Sequence, residues 1–332
     1  MAVIDIGGYS LKVLSKAKAR EFVLAPNTAG GTFTLPILDS EKMMPLLSRV
    51  RKETGVSRCS LVLPDQWARQ LFVSFENDET HADISREYVI WRAKGQIRDE
   101  VHSGSKIDAH VIEVSETPDK KQHISAYLCL IKYEILNKIT DAFNQSGIEI
   151  KNIDLSCHAI YNYLSAAGNL ASDFCLINVG YEVCTLYFFV NYQPAYVRII
   201  ETAGKHFESE MAADKTSSSQ DGIDSQIAEK QRKTAELCSK KIFPEKFDPI
   251  LFENFENSKK NMVEKFLKEI YLTFEFFSSK YPQIKLSRVL LAGGMCKFGG
   301  LDFFLSNFLE LKVELASTLD LIHYLPLYGM KE

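Results

Sequence analysis

The first groups in this chain with the types and spacing for chemistry are an aspartate, two glycines and a lysine, Asp5, Gly7, Gly8 and Lys12, in the stretch VIDIGGYSLKVL. A glycine in a strand-to-strand turn can take a positive φ, and without a side chain it lets backbone N–H groups approach a phosphate closely. A carboxylate at the end of the first strand can hold Mg²⁺ through its water shell, and a lysine beside it adds a point charge. Alone, the pattern is also that of any hairpin turn.

Two further glycine sites add weight to the phosphate reading. The stretch LINVGYEVCTLYFF repeats the order of an apolar lead, an Asp or Asn, one apolar residue, a glycine, a short turn and a second apolar strand. The two halves of the chain are therefore expected to begin with the same glycine hairpin. In VLLAGGMCKFGGLDFFLSNFL a buried strand runs into Gly293 and Gly294, and an amphipathic helix bearing Leu301, Phe304, Leu305, Phe308 and Leu309 follows Gly299 and Gly300. Strand, glycine turn and helix N-terminus together form a place where a nucleotide can rest on backbone amides.

Other candidate groups are weaker. Cys157 and His158 are adjacent in sequence, and neighbours on a helix do not readily converge as a nucleophile pair, so packing is the expected role. No histidine spacing suggests structural zinc. Trp91, Tyr88 and Ile84 form a helical stripe that reads either as packing on its own sheet or as a partner-binding face.

These groups need a frame. Ile135, Leu136, Ile139, Ala142 and Phe143 predict a helix ended by Gly147, and IEIKNIDL a strand after it. Met262, Val263, Phe266, Leu267, Ile270, Tyr271, Phe274 and Phe277 predict a second, longer helix before the strand in LSRVLLAGG. Between residues 64 and 131, a helix-like DISREYVIWRAKGQI and two strand-like runs, AHVIEVS and HISAYLCLI, flanking the turn ETPDKK, predict a small inserted α+β subdomain. ADKTSSSQDG reads as an exposed loop. The whole is an α/β protein of two domains, residues 1–155 and 156–332, with a variable insertion at 205–250.

Composition sets the class. With 332 residues, 46% hydrophobic and 25% charged, the chain has ample core material, and its net charge of −4 leaves no strong field to draw nucleic acid or anionic lipid. Seven cysteines without a C-x-x-C pair fit a reducing cytoplasm. The first residues are already a strand rather than a signal peptide, and the most apolar stretch, FCLINVGYEVCTLYFFV, is broken by Asn178 and Glu182. Membrane contact is therefore expected only through a partner.

Taken in order, the three glycine sites resemble the nucleotide signature of the actin-like ATPase superfamily: two phosphate hairpins and an adenosine loop. The match is to the PilM family of type IV pilus assembly proteins, with FtsA a more distant relative. IDIGGYSLKVL is similar to the first phosphate motif, YVIWRAKGQI to the aromatic helix of the family's inserted subdomain, NKITDAFNQSGIEIKNIDL to its return into the main domain, and AGGMCKFGGLDFFLSNFL to the adenosine loop and helix.

The resemblance implies a two-domain actin-like ATPase fold with ATP and Mg²⁺ as cofactors. Asp5 would hold the metal's water shell, with Gly7, Gly8, Tyr9 and Ser10 forming the first phosphate turn and Lys12 beside it. Asn178, Gly180 and Tyr181 would form the second turn, and Gly293, Gly294 and Met295 would receive base and ribose. The chain departs from the family at Asn178, where an Asp is usual, at Tyr181, Glu182, Val183 and Cys184, where residues are small or hydroxylated, and at Met295, which replaces a third glycine. An amide lacks the charge that a divalent ion favours, and Glu182 would repel a polyphosphate, so hydrolysis is expected to be slow or absent.

The resemblance further implies a cytoplasmic scaffold at the inner membrane that grips the N-terminal tail of a PilN-like protein, with Trp91 and Tyr88 as candidate anchors. Contact with the pilus motor ATPase or platform protein would follow from the same family. A small-molecule kinase of the superfamily and a GspL-like secretion adaptor are the alternative functions. GspL-like chains continue into a transmembrane helix, whereas this sequence ends at HYLPLYGMKE.

Overall fold

Alternating and apolar runs at the start of the chain fold as strands β1 (Ala2–Ile6), β2 (Ser10–Ser15) and β3 (Lys18–Val23), joined by tight turns. The computed structural model describes residues 1–77, 84–97, 103–116, 121–168, 172–206, 249–297, 301–317 and 324–330. The short strands β4 (Ala29–Gly31) and β5 (Pro36–Leu38) pair with each other and lead into α1 (Ser40–Thr54). Asp39 caps α1 by accepting from the Lys42 amide, and Gly55, in the left-handed region, ends it.

A small subdomain is inserted after β6 (Arg58–Leu63). It consists of β7 (Ala68–Asn77), α2 (Arg86–Ala93), β8 (Ser105–Glu116) and β9 (Gln122–Lys132), with the three strands antiparallel in the order β7-β9-β8. Val89 and Ala93 on α2 pack with Val73, Ile107, Ala126, Leu128 and Leu130 into a core of its own. The expected α+β insertion is thus present.

The chain then forms α3 (Tyr133–Gln145), β10 (Glu149–Leu155) and α4 (Ser156–Ala166). Ile135, Ile139, Ala142 and Phe143 are buried as their spacing predicts. Gly147 has φ +71°, and Ile148 N–H donates to the Phe143 carbonyl across it, which closes the helix end in the expected way.

Strands β1, β2, β3, β6 and β10 make one sheet in the order β10-β6-β1-β2-β3, with β6 parallel to both β1 and β10. A second sheet holds β11 (Phe174–Val179), β12 (Cys184–Val190), β13 (Gln193–Ile200), β14 (Arg288–Ala292) and β15 (Val313–Leu315), in the order β13-β12-β11-β14-β15. In each sheet, three strands consecutive in the chain are followed by parallel strands that arrive later. The repeat suspected from two short motifs is thus a repeat of whole sheets.

The long helix α5 (Pro249–Lys280) precedes β14 and buries Phe266, Leu267, Ile270, Phe274 and Phe277, while Tyr271 from the same expected stripe is exposed. The side chains of Met262 and Val263 lie outside the described residues. Helices α6 (Leu301–Leu309) and α7 (Leu325–Gly329) follow among the described residues.

The chain divides into two compact units. One comprises Met1–Gly168, Phe189–Val197 and Pro326–Glu332, and the other Asn169–Phe188 and Arg198–Leu325. The expected boundary after residue 155 lies at the start of α4, and the first segment of the first unit runs on to Gly168. Asp65 Oδ1 accepts the Cys157 amide (3.0 Å) at the start of that helix, where Leu155 offers no side-chain cap, so α4 is tied to the first unit by its own end. The expected insertion at 205–250 and the loop ADKTSSSQDG lie almost wholly, and wholly, outside the described residues. Among the described residues no helix is long and apolar enough to cross a membrane.

Candidate functional site

At the first hairpin, the register places Asp5 opposite Lys12. Lys12 Nζ donates to Asp5 Oδ2 at 3.0 Å, with the carboxylate 5% and the ammonium 17% exposed. The turn itself is closed by Gly7 N–H donating to the Ser10 carbonyl (3.0 Å). That amide is therefore committed to the fold, and Gly8 and Tyr9 supply the outer turn. The Ser10 hydroxyl donates to Glu21 Oε1 (2.6 Å), so it braces β2 against β3.

Neither Gly7 nor Gly8 has a positive φ, and nor does Gly180, contrary to the conformational argument made from sequence. What requires glycine here is space. A Cβ on Gly7 would stand 3.1 Å from the Ser10 carbonyl oxygen, and one on Gly180 would stand 3.0 Å from the Val183 carbonyl oxygen.

The second hairpin has the same turn. Gly180 N–H donates to the Val183 carbonyl at 3.0 Å, the distance seen between Gly7 and Ser10. Asn178 takes the place of Asp5: it pairs in register with Ala292 of the neighbouring parallel strand, as Asp5 pairs with Val62. Each of these parallel strands then runs into a 3-10 turn, Asp65–Trp67 in the first unit and Gly294–Lys297 in the second.

In the second unit a further segment closes on the turn. Gly204 N–H donates to the Gly180 carbonyl (3.2 Å), Lys205 N–H to the Tyr181 carbonyl (2.9 Å), and Lys205 Nζ to Glu182 Oε2 (2.6 Å). The charge of Glu182, expected to repel a polyphosphate, is thus answered by a lysine. Gly204 and Lys205 were missed in the sequence reading. The only signal was a glycine-lysine pair just after a strand, and nothing in the spacing ties it to Glu182.

Gly293 is the residue on which the second site closes. Its φ is +97°, and a Cβ there would press into the Val179 carbonyl and reach 2.7 Å from Asn178 Oδ1. Gly294 is open around its Cα, and Met295 lies against Gly204, where a Cβ would stand 3.0 Å from its sulfur. Asn178, Gly180, Tyr181, Gly293 and Met295 are therefore brought together, and Gly299 and Gly300 lie outside the described residues.

Beneath the first hairpin a buried polar group was also overlooked. Asp65 is 2% exposed and accepts from both the amide and the thiol of Cys157 (3.0 and 2.9 Å), while His158 Nδ1 lies 3.1 Å from Asp154. Burial pushes the Asp65 carboxyl up from its ordinary range, against the opposing effect of those two bonds. Cys157 and His158 thus turn to different carboxylates, which is packing rather than a nucleophile pair.

A bound Mg²⁺–nucleotide can be tested against these groups. Among the described residues no cluster of three His, Cys, Asp or Glu side chains could ligate a metal directly. A metal that kept its water shell would need one carboxylate, and Asp5 has one oxygen on Lys12 and a second beside it. The first hairpin therefore fits a hydrated ion accompanied by phosphate, and the Asn178 amide fits only a hydrogen bond.

On α2 the expected stripe divides. Ile84 packs on the subdomain core, the Tyr88 hydroxyl donates to Asn77 Oδ1 (2.9 Å), and Trp91 is 62% exposed, its ring 6.1 Å from that of Tyr88.

Residues 99–326, more than half of the chain, match the family described as Type IV pilus assembly protein PilM. No curated protein sequence matches the chain. Among solved structures, a PilM–PilN type IV pilus biogenesis complex is similar at a TM-score of 0.75 and 15% identity, over 99% of this chain and 96% of that one. MreB5 of Spiroplasma citri bound to ADP gives a TM-score of 0.55 at 11% identity over 98% and 94% of the two chains. The ethanolamine utilization protein EutJ from Carboxydothermus hydrogenoformans gives 0.52 at 12% over 99% and 89%. The chain belongs to the PilM family of type IV pilus assembly proteins and has its two-domain actin-like ATPase fold.

Proposed function

We propose that this PilM-family chain is a cytoplasmic actin-fold scaffold of a type IV pilus, or related secretion, assembly complex at the inner membrane. It binds ATP with Mg²⁺ weakly or vestigially and grips the N-terminal cytoplasmic tail of a PilN-like protein. The nucleotide half is carried by one observation: two turns with the same glycine-to-carbonyl closure, one bearing a buried Asp5 paired with Lys12. In this reading Gly8 and Tyr9 present turn amides to phosphate, Asp5 orients a metal-bound water, and Lys12 holds the Asp5 side chain in place. Bound Mg²⁺ would neutralise part of the phosphate charge. Gly180 and Tyr181 belong to the second phosphate turn, and Gly293, Gly294 and Met295 to the base and ribose. Asn178 cannot supply carboxylate charge, so turnover is slow and nucleotide acts chiefly as a ligand that shifts conformation.

The partner half is supported by family membership and by exposed Trp91 on α2, with half-buried Tyr88 beside it. A short tail loses conformational entropy on binding, so it needs a few strong anchors, and Trp91 and Tyr88 are the side chains we assign. Motor ATPase and platform protein are further partners that the family suggests. The test is fluorescence anisotropy with a labelled peptide of the PilN-like tail from the same organism. Saturable binding that weakens roughly tenfold in Trp91→Ala, with unchanged thermal stability, is expected. Absence of binding to the full chain would overturn the partner half.

The placement of Glu182 in the second turn favours a second reading, a GspL-like adaptor that carries no nucleotide. Direct nucleotide binding separates the two.

A further inference from the structure

The Glu182–Lys205 pair has no counterpart at the first hairpin, where the lysine comes from the facing strand and the carboxylate from the strand end. At the second hairpin the carboxylate stands in the turn itself. The lysine arrives 23 residues later on a segment that is already fixed by two backbone bonds, Gly204 to Gly180 and Lys205 to Tyr181. Those bonds hold the Lys205 backbone in place whether or not Glu182 holds its ammonium.

The pair is also only partly buried, the Lys205 side chain 38% and the Glu182 side chain 19% exposed. An ion pair placed purely to pin a turn would gain little at that exposure. A lysine with a fixed backbone and a long, half-exposed stem can instead swing its ammonium between two anions over a few ångströms. Both partners stand beside the turn to which we assign phosphate.

We propose that Lys205 is a phosphate-binding residue of the second turn, and that Glu182 is a built-in competitor that occupies its ammonium when no nucleotide is bound. This inference rests on the nucleotide reading of the hairpins. An incoming phosphate takes Lys205 from Glu182, and the freed carboxylate turns to solvent. The chain thereby recovers, through a lysine, charge complementarity that Asn178 does not provide. Affinity is lower than it would be with the same lysine and no carboxylate, because the anion must displace Glu182.

His206 is the neighbouring titratable group, with its Nδ1 facing the Ala203 amide (3.3 Å), and Lys265 of α5 adds positive charge nearby. Both are cationic or neutral, so neither competes with phosphate for Lys205.

The experiment is equilibrium binding of a fluorescent ATP analogue with Mg²⁺ to the full chain and to Glu182→Gln, Lys205→Met and the double variant, with thermal unfolding of each. If the wild type binds, Glu182→Gln is expected to bind roughly threefold more tightly and Lys205→Met roughly tenfold more weakly. In the double variant the gain from Glu182→Gln is expected to vanish. If the wild type does not bind but Glu182→Gln does, the competitor role is upheld in its strongest form.

If the wild type binds and Glu182→Gln is equal or weaker, or Lys205→Met is unchanged, the pair is a structural pin. The inference then fails while the nucleotide reading stands. If neither the wild type nor Glu182→Gln binds, with both folded, the nucleotide reading falls and the inference with it.

Discussion

The two glycine hairpins share a backbone and differ in how they place charge. In both, a glycine amide closes onto the carbonyl three residues on at 3.0 Å, and a strand-end residue pairs in register with a parallel neighbour. In the first, a carboxylate and a lysine face each other across β1 and β2 and are nearly buried. In the second, the strand-end group is an amide, the carboxylate has moved into the turn, and a separate segment at Gly204 and Lys205 both ties the turn down and supplies the cation. The two turns thus share one backbone arrangement and carry their charge at different positions. The first hairpin is tied by the chain that directly follows it, through Leu24 N–H to the Tyr9 carbonyl (2.9 Å) and the Ser10 hydroxyl to Glu21, whereas the second depends on segments brought in from positions 204 and 293.

That dependence gives the largest expected effect. Gly293→Val forces a β-branched side chain into φ +97° and into the Val179 carbonyl, and should cost about 3 kcal/mol or more in chemical denaturation. A neutral result would mean that the second turn does not rely on that close approach. Next, Asp5→Ala leaves Lys12 facing a gap where its carboxylate was, and a loss of about 2–3 kcal/mol is expected by the same measurement. Asn178→Ala should cost less, since it strands no charge.

Asp65 sharpens the comparison from beneath. It stands at the start of the first 3-10 turn, the place that the second unit fills near Met295. Because its folded carboxyl lies above the ordinary 3.8, the folded state holds that proton more tightly than the unfolded chain does. Its contribution to stability is therefore full below about pH 4 and declines as pH rises through the raised value. Asp65→Asn should flatten that decline in stability measured against pH, with no matching effect from Met295→Leu.

The smallest effects test the shared backbone. Gly7→Ala and Gly180→Ala place a Cβ at 3.1 and 3.0 Å from a turn carbonyl without a positive φ. Each should cost about 1 kcal/mol in thermal or chemical unfolding, and the two costs should be alike. A large difference between them would break the equivalence of the turns.

Much of this was legible in the sequence because it is local. The repeated order of apolar lead, polar residue and glycine marks both turns, the 3.6-residue stripe ending at Gly147 marks α3, and the change of texture after residue 64 marks the inserted sheet. What escaped was long-range. Glu182 and Lys205 are 23 residues apart, and Asp65 and Cys157 are 92 apart, and no periodicity links side chains that meet only after the sheets form. Gly7 and Gly180 are turn residues for want of space rather than for a positive φ, unlike Gly293, and crowding of a carbonyl leaves no mark in sequence that distinguishes the two needs.

The central claim is that these turns hold a nucleotide, and the most direct test is equilibrium binding of a fluorescent ATP analogue to the full chain and to Asp5→Ala, with and without Mg²⁺. Saturable, Mg²⁺-dependent binding to the wild type that is lost in Asp5→Ala is expected. Binding absent from the wild type at millimolar nucleotide, or unchanged in a folded Asp5→Ala, would contradict it.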